Sequence, residues 1–387
     1  MQKRNNSKKF KFDNVSLYLI ISILFIFLTN SYFSYSESLI YGGRDGFYYT
    51  NISKSFPKIA NSIEYIKGER FFFPYLIGGI SKILSADIFK IYQISIFYLI
   101  TLIIFFIFQS LRKIKSSNFS IIISLSLLIF NPYMFRFFIA IPTIITDLIF
   151  ILSSILIVNG FINRNKKIIF LGFAISFLSR QNGIFFLFSF FISKFYFKQK
   201  SLFNYKDIVY FISIFFIIFL LNSYYAINAN SSEETSVKEL YLTTLFGIFF
   251  DNYSFYQFIL FTILPFLSFA PLIIFCFMQR NNFNKIILNE LALVILTSSF
   301  LICAIAFVSG PVVTGKNIIR LFNLCYPMLI LLVNLYIKKK NLINKKSTQF
   351  NYIKFLVTTI FFVSWSMHPT FSKLTLFDDL RFFFNFN

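Results

Sequence analysis

Apolar and polar positions alternate along this chain in long blocks. Continuous apolar runs of about 13–24 residues are separated by short polar connections, and that pattern predicts membrane-spanning helices. In lipid every backbone polar group must find its partner internally, so such runs are read as helices. A β-barrel would show short alternating segments instead. Spans are predicted at roughly 16–34, 89–111, 119–135, 137–159, 167–179, 183–198, 207–226, 255–278, 286–308, 320–337 and 350–366. Residues 70–84 are apolar but short. They read as an interfacial or re-entrant segment within the first long connection.

Charge orients this pattern. With the N-terminus inside, basic residues are roughly threefold denser in the inside connections than in the outside ones. The expectation is an all-α, polytopic transmembrane bundle of about eleven spans, N-terminus in and C-terminus out. A single integral membrane domain takes residues 1–387. It comprises a cytoplasmic basic tail (1–15), an external loop with amphipathic or interfacial helices (35–88) and an external tail (367–387). The first apolar run is longer than a signal-peptide core and reads as a retained helix. The location implied is a bacterial-type inner (plasma) membrane, crossed many times.

Composition agrees. The hydrophobic fraction is 57% and only 13% of residues are charged, more apolar surface than a soluble chain of 387 residues could hide. The formal net charge of +22 sits in short clusters between apolar runs. It is a topology signal, and no nucleic-acid partner is expected. Cys276, Cys303 and Cys325 fall inside apolar runs and read as structural thiols. A single histidine, His368, leaves little scope for a histidine-built metal site or a serine–histidine triad.

Candidate chemistry collects on one side. Asp45, beside Tyr48 in Gly43-Arg-Asp-Gly-Phe-Tyr, follows the first span and could act as a general base; capping of a following helix is the plain alternative. Asp147 is an ionisable residue inside the fourth predicted span, where it is either functional or simply bonded to threonines or a nearby arginine. Arg180, at the hinge between two spans, suits a phosphate, as do Lys316 and Arg320 in the last large external turn; interfacial cations would look the same. Arg70 and Arg136 share that ambiguity. Gly310 to Lys316 loosely matches a phosphate-loop spacing. Asn317 stands where a Ser/Thr is needed and no strand precedes it, so a nucleotide site is rejected. Asp45, Arg180, Lys316 and Arg320 all fall on the predicted external face, with membrane lipid around them. A carboxylate and several cations at one leaflet suit transfer chemistry on a lipid phosphate.

Three segments resemble the GT-C superfamily of polytopic glycosyltransferases, of the mannosyltransferase or aminoarabinose-transferase kind. They are RDGFYY around Asp45; TDLIFILSSILIV (146–158) with NRNKK and FLGFAISFLSRQNGIFFLF (170–188); and KNIIRLFNLCYPMLILL (316–332). The resemblance implies a sugar donor on polyprenyl phosphate and a lipid or cell-surface glycan acceptor. Asp45 would activate the acceptor or contact a divalent metal, magnesium or manganese. Arg180, Lys316, Arg320, Asp147, Tyr48 and Arg70 would bind substrate. Asp45 lacks the adjacent acidic residue of several branches, which leaves metal dependence and acceptor class open. Two other readings stand beside it. An O-antigen-type polymerase or ligase usually carries an Arg-rich late external loop, whereas 227–254 has only Lys238 as a basic residue. A transporter or lipid flippase needs midplane polar sites, for which Asp147 is the one candidate.

Overall fold

The computed structural model describes residues 14–29, 43–131, 133–230, 247–250, 252–279, 289–313 and 317–337, with Ser36 alone between the first two. The terminal run 350–366, the tail 367–387 with His368, residues 1–13 and Lys316 lie outside the described residues. All regular elements among the described residues are helical. They are α1 (Asn14–Thr29), α2 (Gly43–Ser55), α3 (Tyr65–Gly68), α4 (Phe72–Leu84), α5 (Ile88–Lys113), α6 (Asn118–Ile129) and α7 (Phe135–Ala140). There follow α8 (Ile145–Ile162), α9 (Lys166–Ser179), α10 (Ile184–Phe197), α11 (Tyr205–Ala229), α12 (Gly247–Phe250) and α13 (Phe255–Gln279). The last are α14 (Glu290–Val308), α15 (Gly310–Val313), α16 (Asn317–Asn323) and α17 (Tyr326–Tyr336). Short 3-10 turns, Pro142–Ile144 and Gln181–Gly183, lead into α8 and α10.

Among the described residues, four helices are long and apolar enough to cross a membrane: Ile88–Lys113, Pro142–Ile162, Tyr205–Ala229 and Glu290–Val308. The bundle is turned inside out relative to a water-soluble one. The outer face of α11 exposes Val209, Tyr210, Phe216, Ile217, Leu220 and Ile227. Ser110, Ser124, Ser153, Asn159 and Asn334 are buried. Asn334 donates to Ser124 Oγ at 2.8 Å and Asn159 to Ser110 Oγ at 3.1 Å, bonds between helices that an apolar solvent favours. The amphipathic α4 does the same on a small scale. It buries Gly78, Gly79 and Ser81, while Ile83 is 80% exposed.

Helix α8 is the axis of the bundle. Its apolar stretch is wholly buried, and α5, α9, α14 and α17 pack around it. Its closest partner is α9, and glycine permits that approach. A Cβ on Gly172 would stand 2.9 Å from Ser153 O and 3.0 Å from Ile157 N. Backbone cannot yield as a side chain can, so this position requires glycine.

Prolines move several predicted boundaries. The run 119–135 ends as helix at Ile129, because Pro132 follows and disfavours helix just before it. The run 137–159 becomes the short α7, a turn opened by Pro142, and then α8. Asp147 is therefore in the first turn of its helix, not about ten residues inside a span. The run 320–337 divides into α16 and α17 at Cys325, where Pro327 opens the second helix.

Gly172→Val should cost about 1–3 kcal/mol through overpacking. Gly79→Ala should cost less, because the Cβ there would meet only the Phe56 ring, at 3.3 Å. Thermal unfolding of both variants in detergent orders them, and equal melting temperatures would overturn the assignment of the α8–α9 contact as rigid.

Candidate functional site

The helix starts and hinges at one end of the bundle hold the charged residues that sequence alone scatters over the chain. Asp45 lies in the first turn of α2 and Asp147 in the first turn of α8. Arg180 ends α9 in extended backbone, and Arg320 stands on the short α16. Asp45 is not spent on capping. Its carboxylate accepts from Lys67 Nζ and, at 2.7 Å, from Arg320 Nη2. Asp147 is fully buried and accepts from Arg180 Nη1. Thr146 Oγ1 donates to it at 3.5 Å, and Arg320 Nε lies 3.3 Å from its other oxygen in an ionic contact. Arg320 thus bridges two carboxylates that are 102 positions apart in sequence.

Arg70 is held beside this group from two sides. Its Nε donates to Gln181 Oε1 at 2.8 Å and its Nη1 to Tyr49 Oη at 3.3 Å. Gln181 in turn donates to Ile66 O at 2.9 Å and Glu69 Oε2 at 2.8 Å, which ties the α9–α10 hinge to α3. Of the predicted residues, Asp45, Arg70, Asp147, Arg180 and Arg320 come together. Tyr48 instead donates to Glu64 at 3.0 Å, one step removed from the group. Arg136 is buried in α7.

Sequence reading missed Lys67, Tyr49, Gln181 and Glu69. Tyr49 follows Asp45 by four residues, which places both on one helical face, and that spacing could have found it. Gln181 sits beside Arg180. No local signal marks Lys67 or Glu69, which depend on α3 folding back onto the end of α11. That packing is close: a Cβ on Gly68 would stand 2.9 Å from Ala226 Cα, and Ile63 N donates to Ala229 O at 3.0 Å.

Electrostatically the inner group is cation-rich. Lys67, Arg70, Arg180 and Arg320 share Asp45 and Asp147, and Arg180 is close enough to Arg70 and Arg320 to be repelled by both. Burial opposes ionisation of Asp45. Arg320, Lys67 and Arg70 outweigh it and hold the carboxyl well below the usual carboxylate range. Buried polar atoms with no hydrogen-bond partner among the described residues include Thr143 Oγ1, Arg180 Nε, Arg320 Nε and Asp147 Oδ2, all from this end. The helices entering here, through Pro142–Ile144 and Gln181–Gly183, begin without side-chain caps, whereas α6, α9, α11 and α14 are capped by Ser117, Asn165, Asn204 and Asn289. Helix starts, guanidinium groups and a lysine favour an anion.

A divalent metal does not fit this donor set. Both oxygens of Asp45 are engaged by cations, and Arg70 adds a third positive charge nearby. Elsewhere in the bundle a wholly apolar groove of about 590 Å³ runs between α13 and α17. Phe322, two residues after Arg320, helps to line it.

The geometry defines the class in structural terms: an all-helical protein with membrane-length helices and a buried ion network at one bundle end. No family model matches the chain, and no curated protein or solved structure matches it either.

Asp147→Asn leaves Arg180 buried without its counter-ion and should cost about 3–5 kcal/mol. The double variant Asp147→Asn/Arg180→Gln should regain part of that loss in a thermal-melt cycle; simple additivity would show the two are uncoupled. The folded pKa of Asp45 is depressed, so its stabilisation is full above the unfolded value of about 3.9 and fades as pH falls below it. The melting difference between wild type and Asp45→Asn should therefore stay constant from about pH 8 to pH 5 and shrink only in stronger acid. A difference that already closes near pH 6 would contradict the ion pairing.

Proposed function

We propose that this chain is a membrane glycosyltransferase of the GT-C kind, moving a sugar from a polyprenyl-phosphate donor to a lipid or glycan acceptor on the external face. In this reading the chain crosses the inner membrane about eleven times, N-terminus in and C-terminus out. The observation that carries it is the convergence of Asp45 with Arg70, Arg180 and Arg320 at one mouth of an apolar bundle. Those guanidinium groups, with Lys316 as a further candidate, hold the departing lipid phosphate. The apolar groove beside Phe322 takes the start of the isoprenoid chain.

The paired state of Asp45 bears on its role. A carboxylate held by Lys67 and Arg320 is a weak base. A donor phosphate that draws Arg320 to itself releases part of that hold, and Asp45 then gains basicity with the donor in place. It accepts the proton of the acceptor hydroxyl as that oxygen attacks the anomeric carbon and the lipid phosphate leaves. The product is the glycosylated acceptor with inverted anomeric configuration.

The test is transfer by the purified, lipid-reconstituted protein with a panel of polyprenyl-phosphate sugars and lipid or glycan acceptors. Asp45→Asn should lower turnover about 100-fold or more, and Asp45→Glu should retain part of it. Undiminished turnover in a folded Asp45→Asn protein would remove Asp45 from the mechanism. Solute uptake into sealed vesicles, with no transfer across the panel, would replace the whole reading by transport.

A further inference from the structure

Tyr49 is fully buried on α2, one helical turn after Asp45. Its ring packs within a small apolar cluster with Ile52, Phe71 and Tyr225, which fixes where the hydroxyl can reach. That hydroxyl accepts from Arg70 Nη1 at 3.3 Å. It also lies within electrostatic reach of Arg180 and Arg320. A phenol has one proton to give as well as lone pairs to offer. Among the described residues no acceptor takes the proton of Tyr49. Arg180 Nε, also buried, likewise donates to none of them. Two buried donors, fixed by packing and surrounded by guanidinium groups, therefore point to a ligand made of acceptors only.

We infer that Tyr49 is a direct contact to a phosphoryl group, donating its phenolic proton to an oxygen that Arg70 and Arg180 also bind. The inference rests on the phosphate-holding role proposed above and adds a residue to it. Tyr49 brings a neutral donor where more positive charge would be repelled by the existing arginines. Gln181 contributes indirectly. By accepting from Arg70 Nε and donating to Ile66 O and Glu69, it sets the guanidinium plane so that Nη1 meets Tyr49. The shared ligand chemistry is a phosphate monoester or free phosphate, and the test separates these sources.

The experiment measures equilibrium binding of farnesyl monophosphate, farnesol and inorganic phosphate to the full chain in lipid nanodiscs. Wild type should bind farnesyl monophosphate more tightly than either other probe. Tyr49→Phe should weaken the farnesyl monophosphate complex about 10- to 100-fold, the value of one hydrogen bond to a charged group, and leave farnesol unchanged. Equal affinity of Tyr49→Phe and wild type for farnesyl monophosphate would overturn the Tyr49 contact and leave the arginine reading standing. No preference of wild type for the phosphate over farnesol would overturn both. Tighter binding of inorganic phosphate than of the farnesyl ester would assign the site to a free anion, against the lipid-phosphate reading. Should Tyr49→Phe fail to fold, 3,5-difluorotyrosine at position 49 keeps the size and makes the phenol more acidic. Its affinity for farnesyl monophosphate should then fall with rising pH as that phenol ionises and stops donating; a pH profile identical to wild type would overturn the contact.

Discussion

Arg320 is the tie on which this end of the molecule depends. One guanidinium reaches Asp45 on α2 and Asp147 on α8, and Asp147 in turn holds Arg180 at the α9–α10 hinge. Four distant segments are thereby joined by charge in addition to their apolar packing. In a bundle whose outer surface is apolar, apolar contact discriminates poorly between inside and outside. Ion pairs and polar bonds do discriminate, because an unpaired charge in such surroundings is costly. The network therefore specifies where α2, α3 and α16 sit on the helical frame.

That frame supplies the rigidity the network needs. Helix α8 is surrounded on all sides, and Gly172 lets α9 come within backbone contact of it. Some polar partners within the frame are short-range: Ser153 donates to Phe150 O at 2.6 Å and Asn323 to Ile319 O at 2.8 Å, each within its own helix. Asn131 and Asn323 join α16 to the loop after α6 at 2.9 Å, which anchors the helix that carries Arg320. A shift of α16 would break that amide contact and both ion contacts of Arg320 together. Tightness at Arg320 is thus inherited from residues that bear no charge.

Much of this was legible in the sequence, and the reasons for the misses are physical. Long apolar runs matched α5, α6, α8, α9, α10, α11, α13, α14 and α17, because hydropathy and helix formation coincide in an apolar solvent, while α12 and α15 fall where loops are expected. Charge density placed Asp45, Arg180 and Arg320 on one side, and the model brings these three into one network. Boundaries failed at Pro132, Pro142 and Pro327, where local backbone chemistry overrides an uninterrupted apolar pattern. The run around Pro142 is apolar on both sides, so only the proline reveals that Asp147 begins a helix. Helical spacing favours Tyr49, at i+4 from Asp45, over the expected Tyr48, at i+3, and the structure joins Tyr49 to Arg70. Lys67 and Glu69 were out of reach, since their positions depend on the contact of Gly68 with Ala226, a tertiary event with no sequence period.

The chemistry of the site follows from a competition. In the proposed reaction Asp45 and a bound phosphate would compete for Arg320, whose other edge Asp147 holds. Asp147 is fully buried on the central helix, so in that reaction Arg320 would pivot about this contact rather than detach. Lys67 is the more exposed partner of Asp45, at 18% of its side-chain surface, and sits on a four-residue helix. It is the easier of the two to displace. An incoming phosphate met by Arg320 and a hydroxyl arriving past Lys67 would each remove one cation from Asp45. Both substrates together, and neither alone, would then leave the carboxylate free to take a proton. In the proposed transfer, such an arrangement would withhold the base until donor and acceptor are both present and so would protect an activated sugar from water.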